Sequence, residues 1–352
     1  MPSNGKAAED DYMHEFYFSR RAYDRNLVIE DLRRIKDIGF NAVSVFSYLD
    51  EEIASGNNIL DFLALCEDMG LWVDMSLRIS FDNAAVTERA IRTLRFDEFD
   101  IISAYDICWE GRLGNYEGTG YQNLGRKTLD PQWREWILNQ YGSYSAAEGV
   151  FGTAIPRDSD GSVIGLSDAQ MNAAAASDCE VRLAAAYRRF LDDAVARYWN
   201  GIAGSIRAID PNHMLGFRMT ALGSGEEGMY DLRSLAPVLD IMEPEGYILD
   251  STEASCTKAL FCNLYSRMVS PDTPIVWKEF GRSAWLGSNW RRDDAVAENI
   301  GKLYEYSLDA MLEGYSSGVY CWYFAGGYRV GEGSDYGIIN PDGSDRPCTA
   351  VL

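Results

Sequence analysis

Two glutamates, Glu110 and Glu279, are the residues whose type and position could do chemistry. Glu110 ends the apolar segment DIISAYDICWE (100–110), and Glu279 lies near the end of PIVWKEF (274–280). Apolar runs of this length, rich in β-branched and aromatic residues, predict buried strands. Two carboxylates that meet at strand ends can divide their protonation states, so that one serves as an acid while the other stays ionised. The pair therefore predicts acid–base or nucleophilic chemistry.

Short apolar runs alternate with amphipathic segments along most of the chain. Helical spacing is clear in LVIEDLRRIKDIG (27–39) and AYRRFLDDAVARYWNGIAGSIRAI (186–209). The strand candidates are 15–18, 41–48, 71–78, 100–110, 213–220, 240–247, 274–280 and 318–324. Alternating strands and helices imply a parallel sheet, and eight such units predict a (β/α)8 TIM barrel, whose active site lies at the carboxyl ends of the strands.

An open, doubly wound sheet is the alternative α/β architecture. It typically carries a glycine-rich turn after its first strand, and the corresponding turn here, SRRAYDRN (19–26), has no glycine. A long interruption, 111–180, follows the fourth predicted strand, and we interpret it as an elaborated active-site loop. We therefore expect one catalytic barrel over 1–352, with the final segment DRPCTAVL (345–352) as the start of a truncated last helix.

Charge and motif content exclude several function classes. The net charge of −22 repels phosphate backbones, so neither nucleic acid nor an anionic membrane is an expected partner. The seven cysteines form no CxxC pair, and we predict no metal site. We also predict no cofactor, because the GxGxxG match at 223–228 places two glutamates where a pyrophosphate would bind. The first residues lack an apolar signal region, which favours a cytoplasmic location.

Carboxylates at the ends of the fourth and seventh barrel strands suit the hydrolysis of glycosides. A retaining enzyme needs an acid/base and a nucleophile with carboxyl groups about 5–5.5 Å apart, and an inverting enzyme needs about 6.5–9.5 Å. Arg78 and Arg218, at other strand ends, are candidates to stabilise the ionised nucleophile. Trp285, just after the seventh strand, is a candidate wall for a sugar, because aromatic faces suit sugar rings.

Four segments carry a family resemblance. YDICWE (105–110) and PIVWKEFG (274–281) resemble the strand-four and strand-seven motifs of clan A glycoside hydrolases, and DYGIINPDGSDRP (335–347) resembles the segment after strand eight. WREWILNQYGSYSAAEGVFGT (133–153) is similar to family 42 β-galactosidases, whereas the Glu-Phe-Gly ending is closer to family 5 enzymes.

The resemblance implies a retaining β-glycosidase acting on a β-galactoside, β-mannoside or β-glucoside. It implies that Glu110 is the acid/base and Glu279 the nucleophile, that Tyr247 contacts the nucleophile, and that Trp322 stacks on the sugar. The similarity to family 42 is also compatible with a homo-oligomer. Trp109 departs from the pattern, because the clan usually has Asn there to contact the sugar 2-hydroxyl.

The departure at Trp109 keeps open a carbohydrate-binding barrel that is non-catalytic or has lost its activity. An inverting hydrolase on the same barrel is a separate alternative, which the larger carboxyl separation would indicate. Asp106 is a substitute for Glu110 as the acid, or else a buried supporting group. Glu243 and Glu245, on the sixth strand, could bind sugar hydroxyls or be solvated.

Overall fold

A computed structural model describes residues 18–20, 23–47, 49, 56–79, 84–118, 123–174, 177–219, 231–247, 253–285, 291–329 and 333–352. Most of the predicted first strand, residues 15–17, lies outside these ranges, as does the glycine-rich segment 223–228. Phe18, the last residue of that predicted strand, is buried in a turn. No helix of the described residues is long and apolar enough to cross a membrane.

Parallel strands alternate with helices, as the pattern of apolar runs predicts. The strands are β1 (Ala42–Phe46), β2 (Trp72–Ser76), β3 (Ile102–Trp109), β4 (Arg112–Leu113), β5 (Asn123–Leu124), β6 (Met214–Arg218), β7 (Ile241–Glu243), β8 (Val276–Trp277) and β9 (Gly318–Val319). The α-helices are α1 (Arg25–Ile38), α2 (Gly56–Met69), α3 (Ala84–Leu94), α4 (Asp130–Tyr141), α5 (Tyr144–Phe151), α6 (Asp168–Ala173), α7 (Asp178–Arg207), α8 (Leu232–Leu235), α9 (Glu253–Val269) and α10 (Asp294–Glu313).

Contacts divide the chain into two compact units. The first comprises 1–109, 203–224 and 239–352, and the second comprises 110–202 and 225–238. The first unit holds the main sheet, in the order β1-β2-β3-β6-β7, with every pair parallel. Single bridges from Met242 to Ile275 and from Glu245 to Glu279 continue the parallel order to β8, which pairs with β9.

The local sequence explains where the elements of the first unit begin and end. The Asp24 side chain accepts hydrogen bonds from the backbone N–H groups of Asn26 and Leu27, which caps α1. Gly39 ends α1 at φ 121°, a conformation that favours glycine. The strand β3 is buried along most of its length, as expected for a strand covered on both faces of a parallel sheet.

The sheet of the first unit is open in the described residues, where no hydrogen-bonded pair joins β1 to β9. The structure therefore establishes an α/β fold with a parallel sheet whose strand order follows the chain. The expected last helix is a short 3-10 turn, Pro347–Ala350, in the described residues. The helix α8 is also short, since it gives way to a 3-10 turn at Ala236–Val238, around Pro237.

The second unit has a core of its own. Trp133 of α4 is fully buried, and its ring lies 5.2 Å from the rings of both Tyr187 and Phe190 on α7. Arg126 is also buried; it forms an ion pair with Asp168 and donates to two backbone carbonyl oxygens. A charged group inside a core requires such partners, because its desolvation is costly.

Candidate active site

The carboxyl ends of the strands in the first unit bring several predicted site residues to one edge of the sheet. Trp109 ends β3 and is the register partner of Arg218, which ends β6. Arg218 is in turn the partner of Glu243 on β7, and Glu245 bridges to Glu279 after β8. Parallel pairing in this order fixes which side chains can meet at this edge.

Glu279 is held by two of the residues that the sequence singles out. The carboxylate is 3% exposed; its Oε1 accepts from Arg218 Nη1 at 2.6 Å, and its Oε2 accepts from the Tyr247 hydroxyl. Burial, followed by the charge of Glu279, raises the pKa of Tyr247 well above its ordinary value. Tyr247 therefore stays protonated and acts as a donor to the carboxylate.

Arg218 is the buried cation that links Glu279 to the sheet interior. Its Nε lies 2.8 Å from Asp106 Oδ2, and its Nη2 donates to Ser44 Oγ at 2.9 Å. Burial alone would lower the pKa of Arg218, but Asp106 and then Glu279 raise it above its ordinary value. The guanidinium is consequently a permanent positive charge beside Glu279.

Asp106 is a partner of Arg218, fully buried beneath the edge of the sheet. It also accepts from Ser76 Oγ at 2.9 Å. Burial raises its pKa, and the positive charge of Arg218 acts in the opposite direction. Both contacts of Asp106, with Arg218 and with Ser76, are buried. Asp106 therefore fits the second of the two expectations, a buried supporting group, and not that of an acid facing a substrate.

A second buried cation, Lys278, was not singled out from the sequence. Its Nζ donates to Asp74 and, at 2.7 Å, to Glu243. Burial raises the pKa of Glu243 to about 8, although Lys278 acts to lower it. Gly216 makes room for this carboxyl, since a Cβ there would lie 2.0 Å from Glu243 Oε1. Glu243 is therefore a buried partner of Lys278, and the expectation that it could bind sugar or be solvated is corrected.

Glu245 is also buried, at 2% exposure, and is not solvated. Its backbone bridges to Glu279, and carboxylate oxygens of the two residues lie within 4.8 Å of each other. Two carboxylates this close repel each other when both are ionised. Arg218, whose pKa the charge of Glu245 also raises, reduces that repulsion.

An aromatic cluster lies beside these charges. The Trp109 and Phe46 ring centroids are 5.9 Å apart, and those of Phe46 and Trp322 are 5.6 Å apart. The Arg78 guanidinium lies over Trp109, 3.8 Å from the ring centroid, and 4.9 Å from that of Phe46. Arg78 is therefore a cation–π partner of both rings, and Arg218 is the arginine in contact with Glu279.

Trp322 and Trp285, the two remaining aromatic candidates, are half-buried in the first unit. Trp322 lies under the guanidinium of Arg329, 5.5 Å from its ring centroid, and is followed by a cis peptide bond. The Trp285 ring packs on Tyr328 at 4.6 Å. Their exposed portions leave each ring able to contact another molecule.

Glu110 is the residue that follows β3, and it begins the second compact unit. It is half-buried and has φ 46°, in the left-handed region that side-chain-bearing residues seldom adopt. Backbone conformations of this kind are concentrated at functional sites, where the surrounding structure maintains them. Among the described residues, Arg78, Arg95 and Tyr315 adopt the same conformation, so it agrees with a functional role for Glu110 but does not identify one by itself.

Comparisons with known proteins identify the fold. No family model and no curated protein matches the sequence. The solved β-galactosidase from Bacillus circulans sp. alkalophilus is similar, with a TM-score of 0.68 at 14% identity over 94% of this chain and 53% of that chain. A polyextremophilic β-galactosidase from the Antarctic haloarchaeon Halorubrum lacusprofundi gives a TM-score of 0.64 at 13% identity, covering 93% of this chain and 55% of that one.

A GH5_18 enzyme from Streptomyces cattleya, solved in complex with GlcNAc, gives a TM-score of 0.59 at 12% identity over 99% of this chain and 76% of that chain. The chain spans about half the length of the two β-galactosidases. The resemblance predicted from segments 105–110 and 274–281 is confirmed: this chain shares its α/β fold with solved β-galactosidases and a GH5 enzyme, glycoside hydrolases of clan A.

Proposed function

We propose that this protein is a retaining hydrolase of β-glycosides. The observation that carries the proposal is the setting of Glu279, a buried carboxylate that receives one hydrogen bond from Arg218 and another from Tyr247 at the carboxyl edge of a parallel sheet. Fixed donors hold such a carboxylate in one orientation, as a nucleophile requires. The fold shared with glycoside hydrolases supports the same reaction class.

Glu110 is the proposed acid/base. It is bonded to Trp109, whose register partner Arg218 contacts Glu279, so the chain leaves β3 at the same edge of the sheet. The retaining mechanism requires a carboxyl separation of about 5–5.5 Å between Glu110 and Glu279. The left-handed backbone of Glu110 supports a functional role for this residue.

The proposed reaction has two displacements. Glu279 attacks the anomeric carbon while Glu110 gives its proton to the glycosidic oxygen, so the bond to the leaving group breaks and a glycosyl-enzyme forms. Glu110 then takes a proton from water, which attacks the same carbon and releases Glu279. Two inversions give a product with retained configuration.

The substrate is proposed to be a β-galactoside, β-mannoside or β-glucoside, bound between aromatic side chains. The half-buried rings of Trp109, Trp322 and Trp285 offer apolar faces for a sugar, with hydroxyl groups bonded at their edges. Similar solved structures include β-galactosidases and an exo-β-agarase, and one GH5_18 variant was solved with Manβ1-4GlcNAc. These neighbours support a carbohydrate substrate.

The sheet is proposed to close into a catalytic barrel that has 111–180 as its elaborated loop; the segment predicted as its first strand lies mostly outside the described residues. A cleft of about 170 Å³ lies between β1 and residues 320–324. Phe62 lies in its wall, and Phe18 packs against Phe62 with ring centroids 5.2 Å apart. Phe18 is thus in contact with a residue that lines this cleft.

A panel of aryl β-glycosides tests the function. We expect one sugar of the panel to be hydrolysed. Nuclear magnetic resonance of the first-formed product should show that its anomeric configuration is retained. Glu279→Ala should abolish turnover, and added azide should restore it with a glycosyl azide of inverted configuration. Wild-type protein that binds sugars but hydrolyses none would instead support the carbohydrate-binding alternative, and inversion by the wild type would exclude the retaining mechanism.

A further inference from the structure

We propose that Lys278 is a positioning residue for Glu279, acting through a closed ring of side chains that are all buried except the half-buried Ser44. The ring runs from Glu279 through Arg218, Ser44 and Asp74 to Lys278, which is the neighbour of Glu279 in the chain. The catalytic part of this inference rests on the proposed role of Glu279 as nucleophile.

The first half of the ring joins Glu279 to β1. Arg218 uses Nη1 to contact Glu279 Oε1 at 2.6 Å and Nη2 to contact Ser44 Oγ at 2.9 Å. These two bonds, together with the ion pair to Asp106, fix the plane of the guanidinium. Since Arg218 is 2% exposed, water cannot readily replace any of its partners.

The second half of the ring joins Ser44 to Lys278. The Ser44 hydroxyl donates to Asp74 Oδ1 at 3.1 Å, and the other oxygen of Asp74 receives the Lys278 ammonium. Lys278 has a further carboxyl partner in Glu243, at 2.7 Å, and lies 5.0 Å from the ring centroid of Tyr320. The ammonium is 2% exposed and is therefore fixed by these partners.

The covalent link between Lys278 and Glu279 closes the ring. A displacement of the Lys278 side chain would act on Glu279 by two routes, directly through the backbone and indirectly through Asp74, Ser44 and Arg218. Charge-assisted hydrogen bonds are short and directional, so a closed series of them restricts side-chain rotation. The ring thus presents the Glu279 carboxylate in one orientation. A nucleophile that is already aligned with its target reacts faster, because less rotational freedom is lost in the transition state.

Two substitutions open the ring at different points. Ser44→Ala removes the hydroxyl between Arg218 and Asp74 without changing any charge, and Lys278→Met removes the ammonium while keeping a side chain of similar length. We expect kcat on the best aryl glycoside to fall about tenfold in S44A and about 100-fold in K278M, with KM within about twofold of wild type. Ser316→Ala is the matched control, since the half-buried Ser316 hydroxyl donates to the Met311 carbonyl oxygen at 2.8 Å and has no partner in the ring.

Crystal structures of the two variants supply a readout that does not depend on activity. Loss of the 2.6 Å contact between Arg218 and Glu279, with Tyr247 in place, supports the ring. Intact contact geometry and wild-type kcat in S44A overturn it, and S44A alone decides the matter if K278M does not fold. Wild-type protein that hydrolyses no glycoside refutes the proposed function, while the variant structures still test whether the ring orients Glu279.

Discussion

Replacing Tyr247 with Phe isolates one hydrogen bond at the candidate nucleophile. The substitution removes the hydroxyl that donates to Glu279 Oε2 and keeps the ring, which packs on Tyr336 with centroids 5.6 Å apart. A hydrogen bond to a charged group contributes about 1.5–3 kcal/mol. At 1.36 kcal/mol for each factor of ten, loss of that contribution in the transition state lowers kcat/KM by about 10- to 150-fold.

The assay is kcat/KM on an activated aryl β-glycoside, measured beside the free energy of unfolding in urea. Tyr105→Phe is the matched control, because the Tyr105 hydroxyl donates to a buried carboxylate, Asp210, at 2.6 Å, away from the edge that holds Glu279. We expect Y105F to lose about 1–3 kcal/mol of stability with kcat/KM unchanged, and Y247F to lose activity with less effect on stability. Wild-type kcat/KM in Y247F would refute the role assigned to this hydrogen bond.

Three further substitutions test the acid, the packing and the buried charge. Glu110→Ala should slow hydrolysis of glycosides with poor leaving groups far more than activated ones, and azide should give a product of retained configuration. Gly216→Ala should lower the free energy of unfolding by about 1–3 kcal/mol, because its Cβ would lie 2.0 Å from Glu243 Oε1. In wild type, burial raises the pKa of Glu243 to about 8. Between the ordinary pKa of a glutamate and about pH 8, the folded protein therefore keeps a proton that the unfolded chain has released. The unfolding free energy should therefore fall as pH rises from about 5 to about 8, and Glu243→Gln should flatten this dependence.

Each of these expectations has an outcome that contradicts it. Equal losses for good and poor leaving groups in E110A would argue against proton donation by Glu110. Wild-type stability of G216A would show that the Glu243 carboxyl can move away at little cost. An unchanged pH dependence of unfolding in E243Q would mean that another group carries the proton.

The sequence predicts the strands of the main sheet well, because each buried parallel strand is one short, continuous apolar segment of the chain. The ends of those runs also indicate that Arg218 and Tyr247 lie near Glu279, and the structure places both in contact with it. The catalytic roles of Glu110 and Glu279 remain predictions, since they concern chemistry and not position.

The buried charges are the part that the sequence could not supply. Asp74 and Lys278 stand within apolar strand segments, where a lone charge is usually interpreted as solvent-facing. Their burial depends on pairing between β2 and the end of β8, which are far apart in the chain. Arg78 lies over Trp109 and Phe46, a position that depends on ring orientations that only tertiary packing determines, and its role toward the nucleophile stays a prediction.

The close approach of Gly216 to Glu243 has a consequence for natural variation. Glu243 occupies the space above a residue without a side chain, and it shares the Lys278 ammonium with Asp74. Loss of the ammonium alone would leave two buried carboxyls without their cation, and a larger residue at 216 would displace one of them. In an alignment of homologues, positions 74, 216, 243 and 278 should therefore covary, with a neutral residue at 278 accompanied by neutral residues at 74 and 243.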